Sequence, residues 1–375
     1  MKIEQAIKIV NGPFVFEKER IQLNNPLVLV FGDRFMLEQE DLLAEVKTIY
    51  PNGHLVFGST SGEIIGATVL DNSLTMTAIE FEKARFSVKK KNVSDFRNND
   101  FELGKSLLSE FPKENLKNIF LVSEGSFVNG SSLISGFKNG NQEVNISGGL
   151  CGDGDRFQKT LCSYNERPKE GEVVAIGFYG DSLEISSASY GGWSTFGPER
   201  SVTKSKGNIL FELDGKPALD LYKEYLGEKS KELPKSALLY PLNVCVDDQQ
   251  PIVRTILNIN ETQNTMVLAG DIPEGSTVQL MMSTVDDIAE GASMAAKLAM
   301  ENRVHKPELA ILISCVGRKL VMGQRTEEEI EEVVSIIGDD AVVTGFYSYG
   351  EMAPFSGQES CRLHNQTMTL TLISE

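Results

Sequence analysis

Short apolar runs alternate with amphipathic stretches along most of the chain, the pattern of strands exchanged with helices. Residues 27–31 are an unbroken apolar run that ends on Gly32-Asp33, as a buried strand does. Leu42, Val46 and Ile49 follow at helical spacing until Pro51 stops the helix. Residues 54–57 read as a second strand running into Gly58-Ser59-Thr60-Ser61-Gly62-Glu63. Leu74, Met76 and Ala78 then alternate with threonines, which predicts a half-exposed strand. Gly104, Leu107, Leu108 and Phe111 make a helical face ended by Pro112. Strands are expected at 119–122 and 144–147, the latter leading into the glycine-rich 148–154. Residues 173–178 and 183–187 flank Gly180-Asp181 and predict a hairpin.

Composition shifts at 190–198, rich in glycine and aromatics, and this marks a boundary. Beyond it Pro217 opens a helix whose face is Ala218, Leu221, Tyr222 and Tyr225, closed by Gly227. Strands are expected at 237–242, 252–257, 266–268 and 278–282. Ile288, Ala292, Ala295 and Ala299 line a long helix, and 309–314 is a buried strand. Thr326 and Glu329 have capping-box spacing ahead of the face Ile330, Val333, Val334 and Ile337. Strands at 342–344 and 368–373 close the chain. The fold class is therefore α/β: two fused α/β parts with mixed β-sheets flanked by helices, a layered sandwich. Its expected division is a lead-in at 1–24, one domain at 25–197 and a second at 198–375. Residues 27–81 and 309–373 share the order strand, acidic helix, short strand, Gly-Glu loop, alternating strand. That order reads as an internal duplication, or as the general likeness of any two α/β units.

Charge and composition then remove whole classes of function. The 375 residues carry 36 basic against 53 acidic side chains, −17 at pH 7, with no basic stripe to attract a phosphate backbone. No run approaches 18 apolar residues, so neither nucleic acid nor membrane is an expected partner. The first 12 residues lack the apolar stretch of a secretory signal. Five scattered cysteines without a CxxC pair read as reduced thiols in a cytoplasm.

The unusual residues cluster just after predicted strands, at 58–63, 148–154, 314–318 and 345–351. Ligands favour that crevice in open α/β sheets. Gly149 and Gly152, beside Asp153, offer backbone N–H donors without an intervening Cβ. Arg156, Arg318 and Arg325 bring forks suited to a carboxylate, with Tyr347 and Glu351 as further contacts. The competing reading is structural ion pairing of those arginines with Glu63, Glu351 or Asp153. A P-loop is missing, and the dinucleotide fingerprint breaks at Phe157. A hydrolase or transferase would rest on Cys315 or Ser348, yet no nucleophile elbow exists and His54, His305 and His364 are the only imidazoles. Trp193, the one tryptophan, is a pocket wall or an interface anchor.

In order, these loops resemble the FIST family, with its adjoining FIST-N and FIST-C domains. The matching stretches are Val56 to Glu63, Gly148 to Phe157, Gly207-Asn208 with Glu212 to Ala218, Ser314 to Arg318, Gly323 to Glu329, Gly345 to Glu351 and His364 to Thr367. The resemblance covers roughly residues 25 to 373. It implies a signal-input module that binds a small ligand such as an amino acid and reports to a histidine kinase, cyclase or chemoreceptor. Here that means a stand-alone sensor, bacterial in type, acting on a separate partner in the manner of a two-component system. One branch is described as haem-binding nitric-oxide sensors, for which His364 is the axial candidate. The F-box of eukaryotic relatives is not expected before residue 25. The family defines no catalytic residues, so a non-enzyme is expected.

Overall fold

The apolar run at 27–31 forms the strand Leu27–Gly32, every residue of it buried. The computed structural model describes residues 1–139, 144–246, 250–354 and 360–375. Leu27–Gly32 pairs in parallel with His54–Ser59 and antiparallel with Ser73–Glu80. On its far side Ser73–Glu80 pairs with Lys2–Ile9, so the lead-in at 1–24 holds a full strand. The helix Leu42–Ile49 makes the parallel crossover, which cannot be a tight turn. Call this unit I.

The same arrangement occurs two more times. In unit II, Arg85–Asn92, Glu172–Tyr179, Leu116–Ser123 and Asn145–Leu150 lie side by side in that order. In unit III the order is Glu184–Tyr190, Met368–Ser374, Leu309–Cys315 and Val342–Ser348. The expected duplication of 27–81 and 309–373 is thus real in strand order, and it is part of a threefold repeat. The hairpin expected at 173–187 does not form. Its two strands end unit II and begin unit III, in different sheets.

The units are joined cyclically. Each lends the segment between its third and last strands to a neighbour. Glu63–Ile65 of unit I pairs with Val342–Ser348 of unit III. Gly350–Ala353 of unit III pairs with Asn145–Leu150 of unit II. Cys162–Tyr164 of unit II pairs with His54–Ser59 of unit I, which closes the ring.

Strand alternation then sorts the side chains. Leu29 and Phe31, Phe120 and Val122, and Ile311 and Ile313 meet in one central core shared by the units. Val28 and Val30, Ile119 and Leu121, and Ala310 and Leu312 face outwards, each set under its own helices. The strand predicted as half-exposed, Ser73–Glu80, is buried on both faces; Thr77 donates to or accepts from Thr344 of unit III at 2.9 Å.

Between the first and second strands of unit III stands an antiparallel sheet with its own apolar core. More exactly placed, it lies between Glu184–Tyr190 and the helix Val285–Met300, bounded by Ser194–Lys206 and Thr277–Met282. The boundary expected at 197/198 falls inside the strand Ser194–Lys206. Residues 237–242, read as a strand, are a short 3₁₀ turn at Lys235–Leu239 followed by Leu242–Cys245.

Candidate functional site

Parallel pairing puts the carboxyl ends of the second and third strands of all three units, counted along the chain, at one end of the body. There the register makes Glu63 and Glu351 counterparts. Glu63 lies opposite Phe346, and Glu351 opposite Gly149. Glu63 accepts hydrogen bonds from Thr60 and Ser73, both at 2.5 Å. Glu351 accepts from Ser348 at 2.6 Å and from the Thr367 hydroxyl at 3.0 Å. The hydroxyls sit three residues before each glutamate and at the start of each last strand. In unit II the corresponding place, opposite Gly58, belongs to Cys162. Burial pushes both carboxyls up to about 8, opposed by those hydroxyl donors. Both are therefore largely protonated at neutral pH.

Among the described residues, clefts of about 440 and 600 Å³ open at this end, and a third of about 290 Å³ is lined by Asp155, Arg156 and Phe157 with Lys235 and Leu238. The cleft of about 440 Å³ lies where the units meet and is lined by Asp33, Ser61, Glu63, Asp71, Arg156 and Lys319, among others. Arg156 donates to Asp33 and Asp153 at 2.8 Å. Its Nη1 has no partner among the described residues. Lys319 reaches the Ser61 carbonyl at 2.9 Å, pairs with Asp71 and stands over the Tyr347 ring. The cleft of about 600 Å³ separates the antiparallel sheet from unit III, with Trp193, Asn243, Met281, Glu290 and Met294 on its walls.

The sequence-derived candidates divide sharply against this geometry. Arg156 lines the 440 Å³ cleft, and the loop carrying Gly152 and Asp153 supports it. Asp153 itself is buried and accepts from Arg34, Arg156 and two backbone N–H groups. Gly152 donates to the Ser59 carbonyl, and Gly149 is paired within the sheet, where a Cβ would strike Ile313. Neither glycine offers its N–H to a ligand.

Arg318 does not reach a cleft. It is fully buried, donating to Glu329 at 2.7 and 2.9 Å and to the carbonyls of Gly191 and Ile288. Tyr347 is equally buried, its hydroxyl donating to Glu329 at 2.6 Å. Arg318 is thus spent in an ion pair, but with Glu329 and not with Glu63, Glu351 or Asp153. Residues 314–318 are the strand end and first turn of a helix, Val316–Met322, rather than a loop. Glu329 is occupied by Arg318, Ser314 and Tyr347, so it forms no capping box, and the Thr326 hydroxyl turns back to the Gly323 carbonyl. Arg325 is exposed and pairs with Asp286 and Glu328, away from these cleft walls. The three arginines do not converge.

His364 is buried, with Nε2 against the Ala353 carbonyl at 3.0 Å. Burial first, then the charges of Arg254, Arg362 and Lys138, depress it to about 3. A side chain held there, outside these cleft walls, does not fit an axial haem ligand. Burial also drives the Cys315 thiol well above its usual range, and the Ser348 hydroxyl is spent on Glu351. Neither lines any of these clefts. Sequence reasoning passed over Lys319, Asp33 and Ser61. Lys319 was hidden because its segment read as a loop; on a helix it projects beyond the buried Arg318 turn.

The described residues thus form a cyclic α/β body with polar clefts at one end. The FIST N domain matches residues 26–216 and the FIST C domain residues 218–354, and the chain belongs to the FIST family. FIST domains are associated with sensory signal transduction. The uncharacterized protein MJ1623 of Methanocaldococcus jannaschii is 24% identical over 425 aligned positions, covering 100% of this chain and 78% of its own length. Among the described residues, no helix is long and apolar enough to cross a membrane.

Proposed function

We propose that this protein is a cytoplasmic, non-enzymatic sensor that binds a small carboxylate or zwitterion, such as an amino acid, in the 440 Å³ cleft. A separate signalling protein, a histidine kinase or cyclase, reads the bound state. The observation that carries the reading is Arg156. Its guanidinium is fixed by Asp33 and Asp153 yet keeps Nη1 free of protein partners among the described residues, at a cleft wall. A fork oriented in this way meets a carboxylate without further ordering of the arginine. Lys319 adds a second cation, while Asp33 and Asp71 supply carboxylates for an amino group. All three units contribute to the walls, so an occupant would tie them together and favour one arrangement over another.

The test is a thermal-shift screen of amino acids and small carboxylates. A ligand at 100-fold its Kd stabilises by about 2.7 kcal/mol. That shift is expected to disappear in Arg156→Ala and in Lys319→Met, and to persist in Arg325→Ala. A screen without a stabilising compound, or a shift retained in both cleft variants, refutes the assignment.

A further inference from the structure

The 600 Å³ cleft carries acidic side chains without a basic one among the described residues, and we propose that it is a second site, for a small organic ammonium ion. Its construction begins with Gly191 and Gly192. A Cβ at Gly192 would stand 2.2 Å from the Asp287 carbonyl, and one at Gly291 would stand 2.4 Å from that of Gly191. Glycine at these positions lets the segment press against the first turns of the helix Val285–Met300 and delivers Trp193 to the cleft wall. The indole is held there by its N–H, which donates to the Gln366 carbonyl at 3.1 Å. Tyr190 lies at the same wall.

The facing helix supplies Asp287, Glu290 and Met294, spaced to share one face. Asp287 accepts from Thr284 through Oδ2 only. Glu290 is exposed and makes no hydrogen bond or ion pair among the described residues. The third wall is the antiparallel sheet, with Asn243 and Met281. Among the described residues, no lysine or arginine lines the cleft. Carboxylates, an anchored indole and polarizable sulfurs around one space are groups that attract an organic cation. The net charge of −17 draws cations to the molecule as a whole. This inference stands apart from the 440 Å³ cleft, because the two clefts share none of their lining residues.

Trp193 is the sole tryptophan, so its fluorescence reports directly on this cleft. Choline is the probe, and dimethylbutanol, its uncharged isostere, is the control. Choline is expected to change the emission saturably while the isostere does not. Glu290→Gln is expected to weaken choline about tenfold, the loss of one charge contact beside an aromatic wall. Calorimetry on Trp193→Phe is expected to show similar weakening without reliance on the fluorophore. Glu114→Gln, an equal charge change on an exposed residue elsewhere, is expected to leave choline binding unaltered. Failure of choline to saturate, an equal response to the isostere, or equal weakening in Glu114→Gln overturns the proposal.

Discussion

At the residue scale, the glutamates and arginines that caught attention in the sequence have roles set by burial. Glu63 and Glu351 are raised to about 8 by desolvation, against an ordinary value near 4.5. Between those values the folded protein holds protons that the unfolded chain has released, so stability falls as pH rises from about 4.5 to about 8 and then levels. Each contributes a slope of order 1.4 kcal/mol per pH unit in that window. Glu63→Gln and Glu351→Gln are expected to flatten the fall, and urea unfolding at pH 5 and pH 8 measures it. A double variant with the wild-type slope excludes these carboxyls as its origin. Arg318 and Arg325 look alike in sequence and differ in depth. Arg318→Met leaves Glu329 buried without its cation and is expected to cost about 3–5 kcal/mol. Arg325→Ala, on an exposed pair, is expected to leave the unfolding midpoint unchanged. The sequence shows that these arginines follow strands; only packing decides which one is spent inside.

At the element scale, apolar periodicity was a good guide where a single element decided its own pattern. Leu27–Gly32, Leu42–Ile49, Asp100–Ser109 and Val285–Met300 lie where their apolar positions place them. It failed where the partner lay far along the chain. A Gly-Asp pair between two strands signals a hairpin, yet Glu172–Tyr179 and Glu184–Tyr190 each find their neighbours in other segments. Thr326 and Glu329 have the spacing of a capping box, and the demand of buried Arg318 for a carboxylate overrides it. The glycines after the strands, read as ligand-facing, instead permit close approach of backbones. Gly148 has φ +138°, and a Cβ there would lie 2.0 Å from the Leu121 carbonyl oxygen of the paired strand. Gly148→Ala is therefore expected to cost about 3 kcal/mol or more, since neither strand has room to retreat. Gly66→Ala shares a positive φ but meets no atom within 4 Å, so its cost should be confined to about 1–2 kcal/mol of backbone strain. Denaturation midpoints of the two variants compare them directly; equal losses would remove the packing argument.

At the scale of the whole molecule, the duplication was half legible. Units I and III share a Gly-Glu loop that survives in sequence, whereas unit II has Cys162 where they have glutamate and so escapes pattern matching. The cyclic exchange of strands was not legible at all, because each lent segment is short and pairs with a strand far away in sequence. That exchange makes the three units mutually dependent. Without Val342–Ser348, the strand Glu63–Ile65 keeps only its hairpin partner Thr68–Leu70, and without Gly350–Ala353 the edge of Asn145–Leu150 is bare. The antiparallel sheet differs in kind. Ser194 and Met282 are direct partners across Ser194–Lys206 and Thr277–Met282, so the chain enters and leaves this region at neighbouring points. Its core, including Leu210, Leu219, Tyr222, Met266 and Val278, draws on residues from within it. Residues 194–282 expressed alone are thus expected to unfold in a single cooperative transition with dispersed amide resonances. Residues 1–193 alone are expected to be aggregated or without fixed tertiary structure, and to recover order when mixed with 283–375. A well-folded 1–193 fragment would show that the ring of lent strands is an embellishment on independent units rather than the bond that holds them.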